Sequence, residues 1–377
     1  MATILYPNHM EIDHGAIKQI GVALEKNNIK RPLICTDKGI VEAGLYDALR
    51  GAIPNDIDYC LFDETPGNPT EAAVKDALKI YQEHNCDGII SIGGGSSIDL
   101  GKGVALCSAN EGPIANWSVM KVGRDGIGAA APIIAIPTTA GTGSEVGGGS
   151  VIITEEGQKI VISSPHLLPK MAICDPDLTL DLPKYLTAAT GMDAMAHCIE
   201  AYSTNAINPP AAAIGLDGLE RVVTYLKRAV DNGHDKEARW HMMMAASEGA
   251  MAFSKGLGCV HSMSHAVGAD PVLKAHHGTL NAILLPTVVR FNSPHIGEKV
   301  DKLKATMGLS ADQDISDWIL DYSVSLGLPR NLAALGVTEE MLPHFAEHCM
   351  TDPCHFANPV QPTVEQYIDM YREALTQ

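Results

Sequence analysis

The chain has 377 residues, 46% of them hydrophobic, more than one core comfortably holds and enough to build two. Its formal net charge of −18 argues against nucleic acid or an anionic membrane as a partner, since either needs clustered Lys and Arg. No apolar run approaches a membrane span, residues 1–7 show no secretory signal, and the nine cysteines form no C-x-x-C pair, so a cytoplasmic, reducing location is expected.

Residues 31–37 (Arg-Pro-Leu-Ile-Cys-Thr-Asp) read as a strand, followed by a helix from about Ile40. Residues 58–62 are the next strand, ahead of a helix for which Thr70 is the N-cap. Residues 87–93 and 132–136 are two further buried strands. Strands alternating with helices predict a parallel, doubly wound sheet, whereas residues 151–154 and 159–163 predict a hairpin across Glu-Glu-Gly-Gln. Beyond residues 175–183 strand-like runs nearly vanish. Ala-, Met- and Leu-rich helical segments take over at 210–230, 236–255, 279–291, 314–326 and 363–375. The fold expected is an α/β N-terminal dinucleotide-binding domain with a parallel sheet over residues 1–180, then an all-α C-terminal metal-binding domain over residues 181–377. The Met-rich run 242–251 reads as adaptable core packing.

Two glycine-rich turns follow strands. Ser91-Ile-Gly-Gly-Gly-Ser-Ser-Ile-Asp-Leu-Gly-Lys-Gly103 opens a helix, where free backbone N–H groups and the helix dipole attract phosphate. It fits neither familiar phosphate motif. Ile98 stands at the third glycine of G-x-G-x-x-G, and Gly103 stands where a P-loop needs Ser or Thr. A tight strand-to-helix turn is the competing structural explanation. Pro137-Thr-Thr-Ala-Gly-Thr-Gly-Ser-Glu145 likewise follows a strand, and two such loops at strand C-terminal ends point to a nucleotide at the sheet edge. Asp37 also ends a strand, where a carboxylate accepts hydrogen bonds from a ribose diol and repels a 2′-phosphate.

The helical half carries Gly191-Met-Asp-Ala-Met-Ala-His197, then Val260-His-Ser-Met-Ser-His265 and His276-His277-Gly278. Asp193 and His197 are four apart and share a helix face, and His261 and His265 repeat that spacing. With fifteen histidines such a pair arises easily by chance, but two pairs among small residues, with further histidines at a third helix start, point to a divalent metal such as Zn²⁺ or Fe²⁺. Spacing alone admits both His261 and His265 as ligands, and either His276 or His277.

Together these motifs resemble the iron-containing alcohol dehydrogenase family, of dehydroquinate-synthase-like fold. So do Phe62-Asp-Glu-Thr-Pro-Gly-Asn-Pro-Thr70, Asp175-Pro-Asp-Leu-Thr179 and Asp352-Pro-Cys-His-Phe-Ala-Asn-Pro359. The resemblance implies Fe²⁺, with Zn²⁺ as the alternative, on Asp193, His197, His261 and His277. It implies His265 beside the nicotinamide, and Phe253 and Cys354 lining the substrate pocket. It implies NAD contacts from Asp37, Asn68, Gly94, Gly95, Ser96, Thr138, Thr139, Thr142 and Lys159. The function expected is metal-dependent hydride transfer between NAD(H) and a small primary alcohol or aldehyde, in a homo-oligomer, dimer or higher. The competing functions are an NAD- and metal-dependent lyase of the dehydroquinate synthase type and a non-enzymatic metal- or nucleotide-binding protein. Gly147-Gly-Gly149 and Val360 stand where relatives carry bulkier side chains and Arg, so the substrate stays open.

Overall fold

The computed structural model describes residues 9–377; residues 1–7, read above for a secretory signal, lie outside the described residues. Eight strands occur among the described residues: β1 (Met10–Ile12), β2 (Pro32–Cys35), β3 (Cys60–Phe62), β4 (Gly88–Gly93), β5 (Ile133–Pro137), β6 (Gly149–Ile153), β7 (Lys159–Ser163) and β8 (Met171–Cys174). Six form one sheet in the order β1-β8-β5-β4-β2-β3, and every pairing in it is parallel. The remaining two, β6 and β7, form the antiparallel hairpin, with Val151 opposite Val161.

Alternation along the central strands feeds two separate cores. Leu33, Cys35, Ile89 and Ile133 belong to one, and Ile34, Ile90, Ile92, Ile134 and Ile136 to the other. A sheet buried on both faces explains why these strands read as continuous apolar runs. The helix Gly95–Ala109 lies against β4 so closely that a Cβ on Gly101 would stand 2.0 Å from Ser91 Oγ. Gly101 is therefore required for helix–strand contact, which explains a Gly-Lys pair that is no P-loop.

Among the described residues one compact unit comprises residues 9–139 and 143–180, and the other residues 140–142 and 181–377. The second unit is helical. Its long helices are Lys184–Ser203, Pro209–Asp231, Lys236–Ala252 and His277–Ile296. Sequence patterning stopped the last of these short of Pro294, yet it runs through both Pro286 and Pro294. Burial of Leu280, Ile283, Leu284, Leu285 and Val288 outweighs the backbone hydrogen bonds that the prolines forgo. Where Lys184–Ser203 ends, Lys299 Nζ donates to Ser203 O and Thr204 O at 2.9 and 2.7 Å, answering carbonyls with no partner inside the helix.

Candidate metal centre and nucleotide loops

The helix Lys184–Ser203 is buried along most of its length, and Asp193 and His197 are 1% and 4% exposed. One ligand atom each from Asp193, His197 and His261 lies within 4.8 Å of the others. Asp193 Oδ1 is 3.8 Å from both His197 Nε2 and His261 Nε2, and 3.6 Å from His277 Nε2. Gly278 sets the last of these. A Cβ there would stand 2.3 Å from Ala189 O, so only glycine lets the start of His277–Ile296 press against the Asp193 helix. His276 is the N-cap residue of that helix and is exposed.

Burial pushes His197 down to about 4, so its imidazole is neutral and its lone pair available. Burial acts to lower His261 too, but the Glu200 carboxylate outweighs it and holds that imidazole above its ordinary value. Glu200 Oε2 accepts from His261 Nδ1 at 2.5 Å, and Glu200 Oε1 accepts from Val260 N at 2.7 Å. A carboxylate on Nδ1 fixes the tautomer and leaves the Nε2 lone pair facing Asp193. Glu200 was missed in the sequence, although its place three residues beyond His197 and seven beyond Asp193 puts all three on one helix face.

Asn281, one turn beyond His277, was missed as well. Its Nδ2 lies 2.6 Å from Asp193 Oδ1, 3.1 Å from His277 Nε2 and 3.3 Å from His261 Nε2. Two amide hydrogens cannot serve three acceptors, and Asn281 Oδ1 is buried without a partner. A set of one carboxylate and three imidazoles, all buried but the half-buried His277, with more acceptors than donors suits a divalent ion of borderline softness, iron or zinc.

His265 stands beside this set. Its ring stacks on that of His277 at 5.5 Å and 16°, and its Nδ1 pairs with Asp352 Oδ2 at 2.9 Å. Burial raises the Asp352 carboxyl, but His265 and the Cys354 N–H outweigh that and hold it below the usual carboxylate range. Cys354 is the second residue of the short helix Pro353–Ala357 capped by Asp352, and Phe253 meets the edge of His197 at 5.2 Å.

In the first unit Asp37 caps the helix Lys38–Glu42: its Oδ1 accepts from Ile40 N at 3.1 Å and its Oδ2 from Ser97 Oγ at 3.1 Å. The carboxylate thus faces the turn at Gly94 and Gly95. Ser96 Oγ donates to Gly67 O at 2.6 Å, and Lys159 Nζ donates to Asn68 Oδ1 at 3.3 Å, which gathers Asn68, Ser96 and Lys159. Thr138 N donates to Gly93 O at 3.0 Å, and the Thr139 side chain lies 3.5 Å from where a Gly94 Cβ would be. Thr142 is grouped with the helical unit.

Lys102, fully buried, ties the two loops together. Its Nζ donates to Ser144 O, Ser144 Oγ and Gly149 O at 2.7, 2.7 and 2.6 Å, and Ser144 Oγ in turn donates to Asp99 Oδ1 at 2.6 Å. Burial pushes its ammonium down to about 8. Three donors aimed at three protein oxygens leave none for a phosphate.

Comparison with known proteins agrees along the whole chain. The model for iron-containing alcohol dehydrogenases matches residues 7–176, and that for the C-terminal part of the Fe-containing alcohol dehydrogenase family matches residues 187–375. A 4-hydroxybutyrate dehydrogenase of Cupriavidus necator is 46% identical, with 100% of each chain covered. An NAD-dependent methanol dehydrogenase of Bacillus methanolicus is 34% identical, also over 100% of each. A crystal structure of a 1,3-propanediol oxidoreductase superposes with a TM-score of 0.93 at 32% identity, covering 100% of each chain. The chain belongs to the iron-containing alcohol dehydrogenase family and is an NAD-linked oxidoreductase of small alcohols.

Proposed function

We propose that Asp193, His197, His261 and His277 hold the divalent ion, iron with zinc as the alternative, and that His265 exchanges the substrate proton. The observation that carries this reading is the buried convergence of Asp193, His197 and His261 within 4.8 Å, with His277 Nε2 at 3.6 Å from the same carboxylate oxygen. When bound there, the ion supplies Lewis acidity, polarising a carbonyl or acidifying an alcohol. His265 accepts the hydroxyl proton as the alcohol carbon gives its hydride to the nicotinamide, and returns it in aldehyde reduction. Phe253 and Cys354 bound the substrate. Asp37, Asn68, Gly94, Gly95, Ser96, Thr138, Thr139, Thr142 and Lys159 bind NAD, with Asp37 on the ribose diol.

The 46% identity to a 4-hydroxybutyrate dehydrogenase makes 4-hydroxybutyrate and its aldehyde the first substrates to try. The nine free cysteines support a reducing, cytoplasmic location. Homo-oligomeric assembly belongs to the same proposal, with light scattering as its test. The deciding experiment loads the enzyme with Fe²⁺ anaerobically and follows NADH with short aldehydes, while metal content is measured in single variants. Stoichiometric NADH oxidation is expected, with metal lost in His261→Ala and His277→Ala and kept in His265→Ala and His276→Ala. Metal lost in His276→Ala but kept in His277→Ala would move the fourth ligand by one residue.

A further inference from the structure

Asp352 faces His265 in a way that hydrogen bonding to a helix end does not require. Its two carboxylate oxygens are divided between two tasks. Oδ1 accepts the Cys354 N–H at 2.8 Å and caps the helix Pro353–Ala357, and Oδ2 lies 2.9 Å from His265 Nδ1. Both side chains are only 12% exposed. The ring of His265 is held on its other sides by His277, stacked at 5.5 Å, and by His261, edge-on at 6.0 Å. No hydrogen bond from a described residue engages its Nε2.

An ionised carboxylate only accepts, so the proton on His265 must sit on Nδ1 and the Nε2 lone pair is left open. We propose that Asp352 is a positioning residue for the reaction, holding His265 in the one tautomer whose Nε2 can take the alcohol proton. The inference rests on the reading of His265 as the proton acceptor. In oxidation the alcohol O–H bond breaks and its proton passes to His265 Nε2. The carbon–hydrogen bond breaks with both its electrons, which leave as hydride for NAD⁺, and the C=O double bond forms from the oxygen electron pair. The products are aldehyde, NADH and an imidazolium whose second N–H remains on Asp352. In reduction every step reverses.

Substitution by Asn separates this role from the capping role. In Asp352→Asn the amide oxygen still caps Cys354 N–H, but the amide nitrogen now faces Nδ1 and donates, which drives the ring proton onto Nε2 and blocks it. Asp352→Ala loses the cap but lets His265 choose its tautomer. Tautomer control therefore predicts opposite orders. Asp352→Asn should be the more heat-stable variant and the less active one, with kcat down about 10²- to 10⁴-fold, the usual worth of a general base, which a wrong tautomer disables. KM for the alcohol, NADH binding and bound iron should stay near wild type in both.

The measurements are kcat, KM, iron content and thermal midpoint on the Fe²⁺-loaded full chain, for Asp352→Asn, Asp352→Ala and His265→Ala. Activity that follows stability, with Asn above Ala, would show that Asp352 only holds the helix and would overturn the proposal, as would loss of iron in Asp352→Asn. Full turnover in His265→Ala removes the proton acceptor itself and the inference with it. Loss of turnover in His265→Ala beside a normal Asp352→Asn leaves the acceptor standing and removes only Asp352.

Discussion

The two units solve opposite problems with opposite materials. In the sheet unit the loops proposed to take the nucleotide are shaped by glycines, by a backbone hydrogen bond from Thr138 to Gly93 and by Lys102 binding protein oxygens. In the helical unit the candidate site is built from side-chain atoms that converge on Asp193, each on a largely buried helix. A site that spreads recognition over backbone groups and several side chains rests on many weak contacts, so single substitutions should have graded effects. A site of four side chains on one ion, as proposed for the helical unit, should fail as a unit.

The strongest way to break that contrast is to remove one ligand. Asp193→Ala or His197→Ala should lose the ion and with it about 10³-fold or more in kcat, while NADH titration by fluorescence stays close to wild type. Asp193→Ala is the more telling of the two, because Asp193 Oδ1 is the atom shared by all three imidazoles. Retained iron and a mere few-fold loss would mean that the helical site tolerates truncation as the loops do, and the contrast would collapse.

A substitution in the sheet unit tests the other half. Asp37→Gly removes the carboxylate and costs little as a cap, since glycine is itself a fair N-cap for Lys38–Glu42, though the buried Ser97 hydroxyl loses its acceptor at about 1–3 kcal/mol. The wild type should prefer NAD(H), because the carboxylate binds a diol and repels a 2′-phosphate. The variant should narrow the ratio of kcat/KM between NADH and NADPH by about 10-fold, an effect near 1.4 kcal/mol, with iron content unchanged. Equal efficiency with both cofactors in the wild type would remove Asp37 from the ribose site.

How much of this was legible depended on whether a feature is local. The Asp193/His197 spacing, the glycine turns and the hairpin are written in consecutive residues and are found where the sequence puts them. Thr70 as an N-cap is equally local, and its Oγ1 accepts from Ala73 N at 3.2 Å. By contrast β1 and β8 pair with each other as strands of three and four residues, too short to show any period. Glu200 and Asp352 could not be chosen from composition, since a chain with 45 Asp and Glu offers many carboxylates, and Asn281 is an amide inside a buried helix. The tertiary partner, an imidazole nitrogen in each case, marks them out, and Glu200 alone also carried a local signal, its place on the helix face of Asp193 and His197. Lys102 invited a phosphate reading for the same reason: its neighbours in sequence are glycines, whereas its neighbours in space are the oxygens of Ser144 and Gly149.

Lys102 also gives the subtlest test, because one buried side chain there binds oxygens of both Ser144 and Gly149. In Lys102→Met the buried Ser144 and Gly149 carbonyls lose their donor, which costs about 1–3 kcal/mol, and the burial of an ammonium is relieved in compensation. The net change in stability at neutral pH should therefore be small, while the loop it held shifts and KM for NAD rises about 10-fold at unchanged iron content. The pH dependence supplies the sign. Folding depresses the Lys102 ammonium from its ordinary 10.5 to about 8, so between those values the unfolded chain binds the extra proton. Stability then increases with pH across that window, by at most about 1.4 kcal/mol per unit from this group, and below it the full penalty of the buried charge is present. Denaturant titrations of wild type and Lys102→Met from neutral pH to about 10 should show a smaller upward slope in the variant. Identical slopes, with an unchanged KM for NAD, would mean that Lys102 neither loses its proton there nor shapes the loops proposed to take the nucleotide.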